Sequence, residues 1–309
     1  MVEYILLFAI FYTWHAMGIT IGYHRLLSHR SFSCSKAVEY FWVLPGFLAF
    51  EGSPIWWATI HRAHHKWVET PLDPHSPRAL GLKYAFTGWL AEKEYAPHLD
   101  PYKQCKDLVA DPLYRFLDFG GRLPLGHAMG FACCFAFRLA LWALFGWQVA
   151  LISLVAGFSV LGIPLLLNVI CHLPKYGYKN YALADDSVNV WWVGLLAMGE
   201  GWHNNHHAAP GSARTGMLPH EFDATWLMLK FMKKIGLISR MNVADHDVLI
   251  ARAAAELAKQ NNMSPVEMPT APLLVTIGGG KSGPRVRDFG AKRAAVRKRR
   301  EQSKQLTNS

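Results

Sequence analysis

Several patterns that would assign a soluble enzyme are missing from this 309-residue sequence. It has five cysteines, an odd number, and no C-x-x-C pair, so neither a disulfide framework nor a zinc finger is indicated. The H-E-x-x-H pattern of zinc proteases is absent. A ferritin-like di-iron bundle needs two Glu-x-x-His pairs, and the sequence has one, Glu200 with His203. The cysteine usage predicts a reducing, cytosol-facing catalytic side.

Charge is also scarce, since 17% of the residues are charged and 51% are hydrophobic. The net charge of +10 arises mostly at one end, because residues 281–309 contain ten Lys or Arg against two acidic residues. We predict a membrane domain over residues 1–250 and a basic, disordered tail over residues 251–309. Attraction of this tail to anionic lipid headgroups is an alternative role. No nucleic-acid partner is predicted.

Long apolar runs predict an all-α integral membrane protein. Residues 4–23 are uncharged and long enough to span a bilayer, and Leu125–Cys171 predicts a hairpin of two spans with its turn at Gly146–Gln148. Arg138 lies within the first hairpin span and must face protein. The apolar runs 37–50 and 188–199 are too short to span. We expect 37–50 to be re-entrant or half-buried, and 188–199 to pack under the histidine cluster that follows it, His203, His206 and His207.

Lys and Arg are frequent between the first span and the hairpin and absent from the hairpin turn. The positive-inside rule therefore predicts that this side is cytosolic. With three spans the N-terminus lies on the opposite side, one helix short of an even number. Either the protein starts there or an upstream helix is missing from this chain.

Histidine is the residue that stands out. Nine of the fifteen fall into four clusters: His24 and His29; His61, His64 and His65; His172; and His203, His206 and His207. On a helix, positions i, i+3 and i+4 share one face, and Asn168 and His172 would also be i, i+4. Nine imidazoles exceed the ligands of one ion, so two metals are predicted, and imidazole suits Fe, Zn, Cu or Ni.

The two residues of the first cluster, five apart, would point about 140° apart on an α-helix. One of them is therefore expected past a helix end or kink. The remaining isolated histidines are predicted to be structural: His15, His98, His127, His220 and His246.

Four segments resemble the histidine boxes and fourth ligand segment of membrane fatty-acyl desaturases of the delta-9, stearoyl-type branch. They are GITIGYHRLLSHRSF, HRAHHKWVETPLDPHSP, Asn168-x-x-x-His172 and GEGWHNNHHAAPGSAR, and the resemblance covers roughly residues 5–240. The last segment is most similar to bacterial and cyanobacterial members. The resemblance implies a bundle of four membrane helices with a cytosolic helical cap, located in a bacterial inner membrane, and a bent tunnel for a long acyl chain.

The resemblance also implies the chemistry. Two irons would be held by all nine clustered histidines, with Asn168 reaching one iron through water, and O2 and two electrons would be used to form a cis double bond. Asp73, His75 and Glu200 lie near the boxes and are expected to bond the ligand imidazoles. Animal acyl-CoA desaturases have an Arg-Asp pair where this chain has Thr59 and Ile60. The acyl carrier, CoA, lipid or carrier protein, is therefore left open.

No cytochrome b5-like haem segment or cysteine-rich cluster occurs, so an external electron donor is predicted, either a ferredoxin, a rubredoxin or a cytochrome b5. Two other functions remain open. A hydroxylase or ketolase shares histidine boxes but inserts oxygen. A non-catalytic membrane protein would bind or transport metal, although transport sites usually lie midway through spans and these histidines flank them.

Overall fold

The computed structural model describes residues 1–260 and 273–277, and its architecture is mostly helical. Within these residues, three helical segments are long and apolar enough to cross a membrane: Val2–Ser28, Leu123–Phe145 and Trp147–Ile170. The first consists of α1 (Val2–Met17), continued without a break by a π-helix over Gly18–Ser28. The other two are α9 (Leu123–Phe145) and α10 (Trp147–Ile170). The three predicted spans are therefore present.

The turn between α9 and α10 is shorter than predicted. Gly146 alone separates the helices, with φ of 91°, and Trp147 and Gln148 already belong to α10. A residue without a side chain enters this left-handed conformation at little cost. The single glycine therefore suffices to reverse the chain.

Arg138 on α9 faces protein, as predicted. Its side chain is buried and donates hydrogen bonds to the carbonyl oxygens of Leu48 at 2.6 Å and Cys134 at 3.1 Å. Its Nη2 also lies 3.2 Å from His15 Nε2, and the His15 Nδ1 in turn donates to the Pro45 carbonyl at 2.8 Å. The arginine thus joins α9 to α1 and to the segment after α2, which compensates for placing a charge within an apolar span.

The apolar run at residues 37–50 forms a short helix, α2 (Lys36–Phe47), packed on the π-helix. Ser35 caps it by accepting from the backbone N–H of Val38. The approach is close because Gly18 and Gly22 lack side chains: a Cβ on Gly22 would lie 2.4 Å from the Trp42 carbonyl oxygen. The prediction of a half-buried, non-spanning segment is confirmed.

Short helices connect α3 (Pro54–Trp67) to α9. Ser53 caps α3 by accepting from the Trp56 N–H at 3.0 Å, with proline at the first helical position. The helices that follow are α4 (Pro77–Leu80), α5 (Leu82–Phe86), α6 (Pro101–Gln104), α7 (Lys106–Val109) and α8 (Pro112–Leu117), with 3₁₀ turns at Gly88–Ala91 and Phe119–Gly121.

After α10, the part of the chain that the structure describes forms a 3₁₀ turn at Pro174–Tyr176 and four helices: α11 (Trp191–Leu196), α12 (His203–Ala208), α13 (Ala224–Lys234) and α14 (His246–Gln260). The buried residues Val190, Val193 and Ala197 pack against Leu167 of α10. Gly194 of α11 lies close to Trp202, which directly precedes α12, since a Cβ on this glycine would be 2.9 Å from the indole ring. Residues 188–199 therefore support the cluster of His203, His206 and His207, as predicted.

The all-α prediction was wrong in one respect, because the structure contains a three-stranded antiparallel sheet. Its strands β1 (Phe32–Cys34), β2 (Ile238–Ala244) and β3 (Leu274–Ile277) lie in that order, with Phe32 opposite Met241 and Asn242 opposite Thr276. β1 is only three residues long, and a strand this short has no periodic signature in a sequence.

Regular structure extends into residues 251–309, where a disordered tail was predicted. α14 crosses residue 250, and β3 pairs with β2, so both segments are regular structure where none was expected. The basic run at 281–309 lies outside the described residues.

Candidate metal centre

The nine clustered histidines meet in two groups. Within each group the ligand nitrogens all lie within 4.8 Å of one another. The first group contains His24, His29, His61, His65 and His206, and the second contains His64, His172, His203 and His207. Four segments separated by up to 182 residues therefore converge, and the division into two groups matches the two metals expected from the count of imidazoles.

The π-helix explains how the first cluster reaches one group. His24 lies within it and His29 caps its C-terminal end, as the spacing predicted for one of the two. The His29 backbone N–H donates to the His24 carbonyl at 3.1 Å, a bond across five residues. A helix with this i to i+5 bonding stacks residues five apart, so both rings project to the same side.

The boxes on α3 and α12 each serve both groups. On α3, His61 and His65 join the first group and His64 the second. On α12 the pattern is inverted, with His203 and His207 in the second group and His206 in the first. Residues four apart lie more nearly above one another than residues three apart. Each box therefore gives an i, i+4 pair to one group and its remaining histidine to the other.

The separations between Nε2 atoms are those of ligands around a common ion. They are 2.8 Å for His29 and His61, 2.8 Å for His65 and His206, 3.1 Å for His24 and His206, 3.0 Å for His172 and His203, and 3.3 Å for His64 and His207. Nitrogens bound about 2.1 Å from one metal would be about 3.0 Å apart at right angles and about 3.4 Å apart in a tetrahedron. The donors present therefore fit two imidazole-ligated metal ions.

Carboxylates contact the opposite ring nitrogen, Nδ1, of four of these histidines. The distances are 2.7 Å for Glu200 to His24, 3.0 Å for Asp73 to His64, 2.8 Å for Glu69 to His172 and 3.1 Å for Asp185 to His207. A carboxylate at Nδ1 fixes the tautomer in which Nε2 has a free lone pair and increases its basicity. All four of these Nε2 atoms point into the groups.

Sequence reasoning found half of these partners. Asp73 and Glu200 contact histidines as expected. His75 lies against His64, with ring centroids 4.6 Å apart, and its Nδ1 is 3.9 Å from Asp73. Glu69 and Asp185 were missed. Glu69 follows His65 by four residues inside the second box, which was a usable signal, whereas nothing in the sequence relates Asp185 to His207, 22 residues away.

The carboxylates are divided unequally. Among the described residues, three contact the second group and only Glu200 contacts the first. Glu200 also accepts from Arg25 Nε at 3.1 Å, and the buried Arg25 guanidinium bonds both oxygens of Asp223, Thr215 Oγ1 and the Ala213 carbonyl. All five guanidinium donors are thereby used. The first group thus has one carboxylate that shares its charge with an arginine, and the second has a more anionic environment.

Asn168 and His172 were predicted to share a helix face. They do not, because α10 ends at Ile170. The His172 N–H donates to the Val169 carbonyl at 3.2 Å, a tighter turn that carries the imidazole into the second group. Asn168 remains on the last turn of α10 and lines cavities beside His61 and His203.

Burial lowers the pKa of the grouped imidazoles outside the spans well below the ordinary value, and neighbouring imidazoles lower it further. This holds for His29, His61, His64, His65, His203, His206 and His207. These rings are therefore neutral at neutral pH. Neutral imidazole is the form that binds metal.

An apolar cavity borders both groups. His24 and His61 of the first group and His64 and His203 of the second line it on one side. The rest of the wall comes mainly from the first span, α10 and α11, including Ala16, Ile19, Val160, Ile163, Leu167 and Leu196. An extended hydrocarbon chain in this cavity would lie directly against both groups.

The histidines predicted to be structural lie outside both groups. His15 contacts Pro45 and Arg138, and His98 Nε2 donates to the Leu72 carbonyl at 2.9 Å. The hydroxyls of Tyr178 and Tyr181 lie 3.2 Å from His220 Nε2 and 2.6 Å from His246 Nδ1, respectively. His127 packs edge-on against Trp56.

Similarity to known proteins supports the interpretation of the histidine groups as a metal centre. The model of the fatty acid desaturase family matches residues 3–233. A probable chloroplastic lipid desaturase of Arabidopsis thaliana is 38% identical over 226 residues, which are 73% of this chain and 60% of that protein. An sn-1 stearoyl-lipid 9-desaturase of Anabaena variabilis is 38% identical over 232 residues, 74% of this chain and 80% of that protein. An acyl-CoA 5-desaturase of Anemone leveillei is 37% identical over 233 residues, 73% of this chain and 67% of that protein. The chain therefore belongs to the fatty acid desaturase family, whose members are membrane-bound oxidoreductases that desaturate acyl chains.

Proposed function

We propose that the chain is a di-iron desaturase that introduces a cis double bond, at the delta-9 position, into a saturated long acyl chain. The balanced reaction removes one hydrogen from each of two adjacent methylenes and consumes O2, two electrons and two protons, and it releases two waters. The main observation in support is that two groups, one of five histidines and one of four, border a single apolar cavity.

The type of cofactor follows from the substrate. A methylene C–H bond within a hydrocarbon chain has neither an acidic proton nor a leaving group, so side-chain acid–base catalysis cannot open it. Iron bound at the two groups would supply the oxidation of that bond with O2. Iron is favoured among the metals that imidazole suits because the family reaction requires redox chemistry, which excludes zinc.

The role of the protein is to fix which carbons face the groups. Away from the histidines the cavity wall is mainly apolar and includes Ala16 and Leu196. An acyl chain would therefore enter it with its methyl end first and exclude water. The length of chain held between the carboxyl end and the histidines would then set the position of the new double bond. The delta-9 position is proposed because two of the relatives are stearoyl-lipid 9-desaturases.

The same proposal includes the location of the site and its electron supply. The positive-inside rule favours a location of the histidine groups at the cytosolic face of a bacterial inner membrane. The helices between the first span and α9, and those after α10, would form the cytosolic cap. Electrons would come from a ferredoxin, a rubredoxin or a cytochrome b5. A hydroxylase or ketolase, and a non-catalytic metal-binding protein, are less favoured because the named relatives are desaturases.

Lipid analysis in a host that lacks unsaturated fatty acids tests the proposal. Expression should produce monounsaturated chains with the double bond at carbon 9, located by mass spectrometry after derivatisation. His203→Ala should abolish them, whereas the matched control His98→Ala, outside both groups, should retain them. A hydroxylated product without a new double bond would instead identify a hydroxylase.

A further inference from the structure

Two buried asparagines, Asn204 and Asn205, lie between the histidines of α12. On an α-helix these two positions share the face that points away from His203, His206 and His207. Both side chains are fully buried. Because buried amides require hydrogen-bond partners, the packing behind the histidine groups is polar and must match these two residues.

Asn189 supplies a cap that α12 lacks in its own sequence. The residue before the helix, Trp202, makes no capping side-chain bond. Instead, Asn189 Oδ1 accepts from the backbone N–H of Asn204 at 3.0 Å and from that of Asn205 at 3.3 Å. These are the second and third residues of the helix, whose N–H groups an N-cap side chain normally binds. The start of α12 is therefore fixed from outside the helix.

The backbone on either side of Asn189 joins α12 to the segment that carries His172. The N–H of Val190 donates to the carbonyl of Gly201, two residues before α12, at 2.8 Å. The N–H of Val188 donates to the carbonyl of the residue before His172, also at 2.8 Å. One short segment thus sets the position of α12 relative to another histidine of the second group.

Glu221 holds Asn205 from the other side. This carboxyl group is buried, and its Oε2 accepts from Asn205 Nδ2 at 2.8 Å and from two backbone N–H groups of the preceding loop at 2.7 and 2.9 Å. Its Oε1 accepts from Asn180 Nδ2 at 2.7 Å and from the Tyr178 hydroxyl at 2.8 Å. Asn205 Oδ1 in turn accepts from Asn180 Nδ2 at 2.8 Å and from Asn189 Nδ2 at 2.9 Å. Both ends of the Asn205 amide are therefore held.

Asn204 is held in the same way by the chain before α12. Its Oδ1 accepts from the backbone N–H groups of Asn180 and Tyr181, both at 2.9 Å, and its Nδ2 donates to the Tyr181 carbonyl at 3.1 Å. A helix of six residues is too short to be stable by itself. The bonds to Asn204 and Asn205 therefore fix how α12 is rotated about its axis.

We propose that Asn189 and Glu221 are positioning residues for both metal sites, and that they act through the asparagines of α12. This inference rests on the proposed di-iron function. α12 provides His206 to the first group and His203 and His207 to the second, so a rotation of this helix displaces ligands of both. The carboxylates at Nδ1 differ in this respect, because each of them contacts a histidine of one group.

Binding of Co²⁺ to the purified, metal-free full chain tests the proposal. Competition with a chelator measures the affinity of each of the two bound ions, and the visible absorption of Co²⁺ depends on the geometry of its ligands. Glu221→Gln places an amide nitrogen among N–H donors in place of an acceptor. We expect the affinity for both ions to fall about tenfold, the lower end of the usual effect of such partners, and both absorption spectra to change.

Asp111→Asn is the matched control. Asp111 is also buried, and it likewise accepts from a tyrosine hydroxyl, that of Tyr40 at 3.0 Å, and from two backbone N–H groups, but at the start of α8. Its substitution should lower the unfolding temperature and leave the Co²⁺ affinities and spectra unchanged. Asn189→Ala removes the cap of α12 alone and should weaken both ions several-fold, so it decides the question if Glu221→Gln does not fold.

The outcomes separate positioning from general stability. Wild-type affinities and spectra in a less stable Glu221→Gln or Asn189→Ala variant would overturn the proposal. Weakening of only one ion, or equal weakening in Asp111→Asn, would also overturn it. If both variants weaken both ions but the wild-type chain makes no unsaturated fatty acids in the expressing host, the desaturase function fails and the positioning role stands.

Discussion

The backbone N–H of His29 donates a hydrogen bond to the carbonyl oxygen of His24 at 3.1 Å, and the two imidazole centroids lie 4.8 Å apart. On an α-helix these residues would point about 140° apart. The π-helix at the end of the first span removes that angle, so the candidate metal site depends on a local backbone geometry as well as on its histidines. π-Helical segments often occur at functional sites for this reason.

Glycine at position 22 is required for this geometry to pack. In Gly22→Ala the new Cβ would lie 2.4 Å from the Trp42 carbonyl oxygen, so α2 would have to move away from the π-helix. We expect the free energy of unfolding to fall by about 1–3 kcal/mol. Thermal unfolding in detergent measures it. Gly162→Ala in α10 should be neutral or slightly stabilising, because the new Cβ would meet no described atom within 4 Å apart from its own helix backbone.

Glu69 should support metal binding by the second group alone. Glu69→Gln weakens the contact that orients His172, and loss of such a partner typically lowers metal affinity about 10–100-fold. Competition with a chelator measures it, and only one of the two metals should be released more readily. Glu256→Gln, exposed on α14, is the control. Equal weakening of both metals would contradict the separate assignment of carboxylates.

Arg25 should be a major contributor to stability. Arg25→Met leaves Glu200 and Asp223 buried without their cation, and removing one partner of a buried pair lowers stability by about 3–5 kcal/mol. Arg30→Met in the same box removes a contact to Asp107 whose arginine is 52% exposed, and should cost about 0–1 kcal/mol. Denaturation of both variants tests the difference, and similar losses would contradict the account.

Glu51 should make stability depend on pH. Burial raises its pKa from 4.5 to about 8, although the hydrogen bond from Trp57 opposes the shift. The carboxyl therefore binds a proton more tightly in the folded chain. The stability linked to that proton is complete below pH 4.5 and is lost as the pH rises towards 8.

Glu51→Gln should remove this dependence. Between pH 6 and 8 its unfolding temperature should change less than that of the wild type, with a difference of about 1–3 kcal/mol at pH 8. Glu256→Gln should follow the wild type. Parallel pH curves for Glu51→Gln and the wild type would show that the carboxyl is ionised in the folded chain.

Sequence patterns predicted the spans and the convergence of the nine histidines, because apolar runs and i, i+3, i+4 spacing are local properties of the sequence. Arg138 was predicted to face protein only because exposing its charge to lipid would be costly. Its contacts with Leu48 and His15 confirm this prediction. The division of each box between two groups was not predictable, since it depends on how α3 and α12 face each other.

Other features depend on contacts that are distant in sequence. Glu69 meets His172 across 103 residues, and Asp185 meets His207 across a loop. β1 forms a strand because β2, more than 200 residues later, pairs with it. The i, i+4 assumption for Asn168 and His172 failed because α10 ends between them. Each of these was determined by tertiary packing rather than by local propensity.

The central claim, that the histidines hold two irons in separate groups, is tested most directly by the iron content of the purified full chain. The account predicts two irons per chain in the wild type. It predicts about one in His206→Ala and about one in His207→Ala, since these adjacent residues belong to opposite groups. A wild-type content of one iron or fewer per chain would contradict it.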